Sequence, residues 1–196
     1  MTSETNLNID TGRAAEFLRN HLRQPVVLVG MMGVGKTVVG RRLADRLGLE
    51  FRDSDRIVEE KAGRSVSEIF ETDGEEKFRH VERNTILEIL SGGPCVLATG
   101  GGAVMNPETR AAIKTKAVSV WLKLEVRNIL TRLEKSDDRP LLKKGDPEKI
   151  LTELMAARGP FYAMADIHVE SGGGKAAETA DVVINSLYRH VKKDTV

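Results

Sequence analysis

The octapeptide Gly30-Met31-Met32-Gly33-Val34-Gly35-Lys36-Thr37 constrains this chain more than any other stretch, because of what stands on either side of it. Before it runs Val26-Val27-Leu28-Val29, a short, continuous, β-branched segment suited to a strand buried on both faces. After it, Val38, Val39, Leu43 and Leu47 recur at helical spacing until Gly48. The octapeptide fits G-x-x-x-x-G-K-[ST] in the strand–turn–helix context that this motif requires. Its glycines let backbone N–H groups turn toward phosphate oxygens, and the helix N-terminus adds its positive end. Gly33, Val34, Gly35, Lys36, Thr37 and Val38 are therefore candidate ATP contacts. Lys36 can reach the β- and γ-phosphates, and the Thr37 hydroxyl can ligate Mg²⁺.

The rest of the chain alternates in the same way. Leu49 to Asp53, Cys95 to Ala98, Val118 to Leu122 and Ile167 to Val169 read as short strands. Between them lie helical patterns: one opened by the capping box Ser65-Val66-Ser67-Glu68, a longer one over Glu75 to Leu90, one over 125–134, one started by Asp146-Pro147, and a closing one over 176–191. Such alternation predicts an α/β layered domain with a mostly parallel sheet. Residues 1–24 read as an N-terminal arm, with Ala14, Phe17, Leu18 and Leu22 on one helical face, and residues 25–196 as a single domain. With 196 residues, 40% hydrophobic and 30% charged, the chain is long and apolar enough to build a core.

A net charge of +1 excludes a globally basic nucleic-acid binder, and 4% aromatic residues are too few for a base-stacking platform. The single cysteine, Cys95, offers neither an internal disulfide nor a zinc cluster. The four histidines, at 21, 80, 168 and 190, have no metal-ligand spacing. Acidic Glu4 and Asp10 precede any apolar stretch, and no run is long enough to span a bilayer. The expectation is a cytoplasmic protein with no membrane or nucleic-acid partner.

A phosphate-binding loop needs an acid near its metal, and the segment Cys95 to Ala98 ends in Thr99 and glycines instead. Asp53-Ser54-Asp55 is the best substitute: in an extended segment its two carboxylates point the same way, one toward the metal and one toward a substrate. The alternative is that Asp55 caps a following helix. Gly100-Gly101-Gly102 lies at the carboxyl end of a strand, where α/β sheets bind ligands; the alternative is a flexible turn. Arg79 with Glu82, and Arg158 near a helix end, fit surface decoration as readily as a site. Arg139, in the charged stretch 135–147, is either solvated or part of a lid.

These segments, in order, resemble the shikimate kinase family. The resemblance runs from about Pro25 to about Val191 and rests on the phosphate loop, Phe51-Arg52-Asp53-Ser54-Asp55, the stretch from Ile69 to Arg79, Ala98 to Val104, Arg139-Pro140-Leu141-Leu142 and Arg158-Gly159-Pro160-Phe161-Tyr162. It implies a P-loop kinase fold like that of nucleoside monophosphate kinases: a five-stranded parallel sheet flanked by helices, a substrate-binding subdomain over about 54–90 and a lid over about 135–147. It implies transfer of the ATP γ-phosphoryl group to the 3-hydroxyl of shikimate, with Mg²⁺ held through Thr37 and Asp53, in a protein expected to be monomeric. By position, Lys36, Asp55 and Arg139 would be catalytic, Arg139 would contact ATP, and Arg132 would lie against adenine. Asp55, Arg79, Arg158, Gly101 and Gly102 would hold shikimate between Phe70 and Phe78. The arm before Pro25 and Ser171-Gly172-Gly173-Gly174-Lys175 depart from the family pattern. Another kinase of this fold, such as a gluconate kinase, need not carry Asp55, Arg79 and Arg158 together. A guanine-specific switch would carry Asn-Lys-x-Asp, and the chain has no Asn-Lys dipeptide.

Overall fold

The computed structural model describes residues 10–133, 145–172 and 175–194. Five parallel strands, β1 (Val26–Val29), β2 (Glu50–Asp53), β3 (Cys95–Ala98), β4 (Val118–Lys123) and β5 (Ile167–Glu170), form one sheet in the order β2-β3-β1-β4-β5. The continuous apolar segments occupy its centre: every residue of β1 and β3 is buried. Edge strand β5 instead alternates, with Ile167 and Val169 inward and His168 and Glu170 outward. The expected five-stranded parallel α/β architecture is the observed one.

The helices are α1 (Thr11–His21), α2 (Lys36–Leu47), α3 (Ser54–Ala62), α4 (Val66–Asp73), α5 (Glu75–Leu90), α6 (Pro107–Lys116), α7 (Val126–Leu133), α8 (Pro147–Tyr162) and α9 (Ala176–Asp194). Local chemistry sets their ends. Ser65 and Glu68 close the anticipated capping box on α4, and Asp146 caps α8 with Pro147 in its first turn. Helix α8 continues through Gly159-Pro160 to Tyr162, so Arg158 lies inside it. Helix α6 was not read from the sequence, although Asn106-Pro107 announces it: the Asn106 side chain accepts from Glu108 N and Thr109 N.

One expectation is corrected. Asp53-Ser54-Asp55 is not extended: β2 stops at Asp53, whose carboxylate caps α3 by accepting from Asp55 N and Arg56 N, and Asp55 sits in the first turn of that helix. The two carboxylates therefore diverge, and the cap is Asp53 rather than Asp55. The lid segment, with Arg139, falls outside the described residues except for Gly145, Asp146 and Pro147.

The main core gathers both faces of the sheet; a separate small cluster of Val58, Ile69 and Phe78 lies under α3, α4 and α5. The described part of the arm is built into the main core. Helix α1 packs on α9 and α2, burying Ala14, Leu18 and Leu22, with Phe17 edge-on to Tyr188 at 5.0 Å. No helix among the described residues is long and apolar enough to cross a membrane. Leu18 is fully buried, so Leu18→Ala should lower unfolding free energy by about 2–5 kcal/mol. Urea titration followed by circular dichroism measures this; an unchanged midpoint would show that the arm only rests on the domain.

Candidate active site

The site lies at the carboxyl ends of β1, β2 and β3, where two loops meet. The phosphate loop leaves β1 with Gly30, Gly33 and Gly35 all at positive φ, and Gly35 is the N-cap of α2. Lys36 Nζ donates to Gly30 O and Met31 O, each at 2.8 Å, placing its ammonium inside the loop. Thr37 Oγ1 donates to Asp53 Oδ2 at 2.9 Å, so the first turn of α2 and the end of β2 present a hydroxyl and a carboxylate side by side. These hard oxygen donors suit Mg²⁺, which is commonly held by one or two protein oxygens plus water and phosphate. Among the described residues no cluster of three or more His, Cys, Asp or Glu side chains offers an all-protein cage.

Val38 is exposed on α2. Arg132, near the end of α7, donates from Nη1 to Val34 O and from Nη2 to Ser171 O, both at 3.0 Å. Ser171 is buried and donates from Oγ to the same Val34 carbonyl at 2.9 Å. Arg132 thus pins the back of the phosphate loop to the segment after β5.

The second loop, Gly100-Gly101-Gly102, leaves β3 and rests against the first. Thr99 donates to Leu28 O from both its backbone N and its hydroxyl, at 3.2 and 3.1 Å. The glycines permit the approach of four functional side chains. A Cβ on Gly100 would lie within 2.6 Å of both Asp55 Oδ1 and Glu82 Oε1; one on Gly101 would meet Arg158 Nη1 at 3.3 Å; one on Gly102 would meet Arg79 Nη2 at 2.5 Å. The structure therefore brings together Asp55 from α3, Arg79 from α5, Arg158 from α8 and the glycine turn. Asp55, Arg79 and Arg158, each ambiguous from its local sequence, thus meet around one glycine turn.

Arg79 is half-buried, its guanidinium 5.2 Å from the Phe78 ring centre and 5.9 Å from that of Phe70. The two rings are themselves 4.8 Å apart. Phe78 is buried in the small cluster, and Phe70 is partly exposed beside it. Arg79 donates from Nη1 to Glu82 Oε2 at 2.8 Å and from Nε and Nη2 to Glu75 Oε1 at 3.3 and 3.2 Å. A guanidinium has five N–H groups, so one N–H on each Nη is left over for a ligand oxygen.

Glu82, the residue that sequence reasoning passed over as a surface pair, is 2% exposed and holds Arg79 in place. Its spacing gave no clue to that burial; the signal was its place among Phe78, Ile86 and Ile89 on one side of α5. Burial pushes the Asp55 carboxyl up to about 6, with the Glu82 and Asp53 charges adding and Lys36 and Arg79 opposing. Burial likewise raises Glu82, against the pull of Arg79. Asp55 Oδ1 and Glu82 Oε1 are buried without a hydrogen-bond partner among the described residues.

A family model described as shikimate kinase matches residues 32–188. The chain belongs to the shikimate kinase family. Among its relatives, a shikimate kinase from Caulobacter vibrioides is 54% identical over 162 residues, spanning 83% of this chain and 81% of that protein. One from Brucella canis is 41% identical over 193 residues, spanning 98% and 96%, arm included. The solved shikimate kinase from Acinetobacter baumannii in complex with shikimate superposes with a TM-score of 0.84 at 36% identity, covering 90% of this chain and 98% of that one. The chain is an ATP-dependent kinase of the P-loop fold.

Gly100→Ala should displace the Asp55 and Glu82 carboxylates rather than the fold, because the colliding atoms are side-chain ends. The expected result is a loss of turnover of about 10²-fold, the scale set by a misplacement of about 1 Å, with a melting temperature close to wild type. Coupled ADP release and thermal melting read the two effects separately.

Proposed function

We propose that this chain transfers the γ-phosphoryl group of ATP to the 3-hydroxyl of shikimate, giving shikimate 3-phosphate and ADP on the route to chorismate and the aromatic amino acids. The observation that carries the reading is the convergence of Asp55, Arg79 and Arg158 on the glycine turn, beside the phosphate loop. Shikimate has one carboxylate and three hydroxyls. Planar guanidiniums suit the carboxylate, and a buried carboxylate acceptor suits a hydroxyl.

In this reading Lys36 and the backbone of Gly33 to Val38 hold the phosphates, and Lys36 stabilises charge on the transferring group. Thr37 and Asp53 would hold Mg²⁺, which would supply positive charge to neutralise the phosphates. Arg132 borders the base. Asp55 orients the 3-hydroxyl and accepts its proton late, because the phosphoryl transition state is largely dissociative and calls for little early deprotonation. Arg79 and Arg158 hold the carboxylate with the Gly101 and Gly102 backbone, and Phe70 and Phe78 wall the pocket. Residues 54–90 form the acceptor-binding subdomain. Arg139, from the segment outside the described residues, contacts ATP as part of a lid over 135–147. The protein works as a soluble cytoplasmic monomer.

Coupled ADP release with shikimate, quinate and gluconate side by side, in the presence of Mg²⁺, tests the reading. Shikimate should give turnover with a phosphorylated product; ATP hydrolysis without such a product would refute it. Lys36→Ala should cost about 10²–10³-fold in turnover, the scale for losing one positioned donor.

The arginines give a second prediction. Each charge-assisted contact contributes about 1.5–3 kcal/mol. Arg79→Ala or Arg158→Ala should therefore raise the shikimate KM about 10-fold to 150-fold and move the ATP KM much less. Lysine should rescue only in part, since it lacks the planar fork. An analogue with a neutral amide in place of the carboxylate should be discriminated against by wild type and less so by either variant. Equal losses for acid and amide would make the arginines scaffolding.

A further inference from the structure

Tyr162 ends α8 one turn after Arg158, and it is fully buried. Its hydroxyl donates to the Gly101 carbonyl at 2.5 Å and lies 3.6 Å from Met31 Sδ. Arg158 comes to the same glycine, its Nη1 lying 3.3 Å from where a Gly101 Cβ would stand. One oxygen thus touches the phosphate loop at Met31 and the glycine turn at Gly101, the residue that Arg158 also approaches. Burial raises the phenol above its ordinary value, so it stays a neutral donor throughout the neutral range. The ring is held too, with its centre 6.0 Å from that of Trp121 on β4. The two loops also approach directly: a Cβ on Gly101 would meet Met32 N at 3.4 Å and Gly30 O at 3.6 Å.

We propose that Tyr162 is a positioning residue for phosphoryl transfer: its hydroxyl locks the Gly101 peptide in register with the phosphate loop, setting where the acceptor stands relative to the phosphoryl donor. The inference deepens the proposed function and rests on shikimate as acceptor. Three glycines in succession have no side chains of their own to fix their peptide planes. Met31 Sδ is only a weak acceptor, so the strong bond goes to Gly101 O. Without the hydroxyl, the half-buried Gly101 carbonyl loses this donor, and the turn must move or leave an acceptor unsatisfied.

Tyr162→Phe removes one oxygen and keeps the packing. The expected result is a shikimate KM raised about 10-fold and a kcat lowered about 10-fold, with the ATP KM within about two-fold of wild type. A purely structural role would lower the melting temperature and leave all three constants unchanged well below it; that outcome overturns the proposal. In ¹⁵N-glycine-labelled protein without ligand, the Gly100, Gly101 and Gly102 resonances should shift or broaden in the variant, while those of Gly12 and Gly63, distant in the fold, stay put. Unchanged turn resonances would equally overturn it. Shikimate binding, measured by calorimetry without ATP, keeps the two readings apart. No binding to wild type counts against the proposed function. Binding to wild type that Tyr162→Phe leaves untouched counts against Tyr162.

Discussion

The adjacency of β1 and β3 is the constraint on which everything at the site depends. Parallel neighbours release their loops at the same end of the sheet, and here one is the phosphate-loop motif and the other the glycine turn. The double donation from Thr99 to Leu28 O holds the two exits together. With the exits fixed, Asp55 arrives from α3, Arg79 from α5 and Arg158 from α8 at one place. Phosphoryl transfer asks little covalent chemistry of the protein and much positioning, so a rigid junction between two loops is the central requirement.

Much of this was legible in the sequence. Buried strands in a parallel sheet must be apolar on both faces, which is why Val26–Val29 and Cys95–Ala98 were plain. Caps announce helices chemically, as Ser65 with Glu68 and Asp146 with Pro147 did. What was not legible depended on three dimensions. Whether Asp53 or Asp55 capped α3 turned on where β2 stopped, a matter of one residue. Arg79 and Arg158 stand far apart in the chain and gave no local sign of converging; the ordered family motifs supplied that, and the structure places both beside the glycine turn. Glu82 was hidden because a charged residue at helical spacing from an arginine is ordinary on a surface, although it lies on the same side of α5 as Phe78, Ile86 and Ile89.

The division of labour between Asp53 and Asp55 follows from the same boundary. Because Asp53 is spent on the first turn of α3 and on Thr37, it stays on the side of the phosphate loop. Asp55, one step into the helix, is turned toward the desolvated space by Gly100. Two acids separated by a single serine thereby occupy different dielectric environments, which suits one to a hydrated cation and the other to a neutral hydroxyl.

The small cluster of Val58, Ile69 and Phe78 has a mechanical consequence. Even with Val66, Phe70 and Val81 packed against it, this cluster is far smaller than the main core, to which Ile86, Ile89 and Leu90, farther along α5, belong. Helix α5 is therefore clamped at one end and lightly held at the other, like a beam set in a wall. Arg79 rides on the compliant half, and Glu82 stands between it and the clamped half. Local opening around the small cluster would reach Arg79 before it reaches the sheet, so that side of the site can loosen and re-form while the phosphate loop keeps its shape.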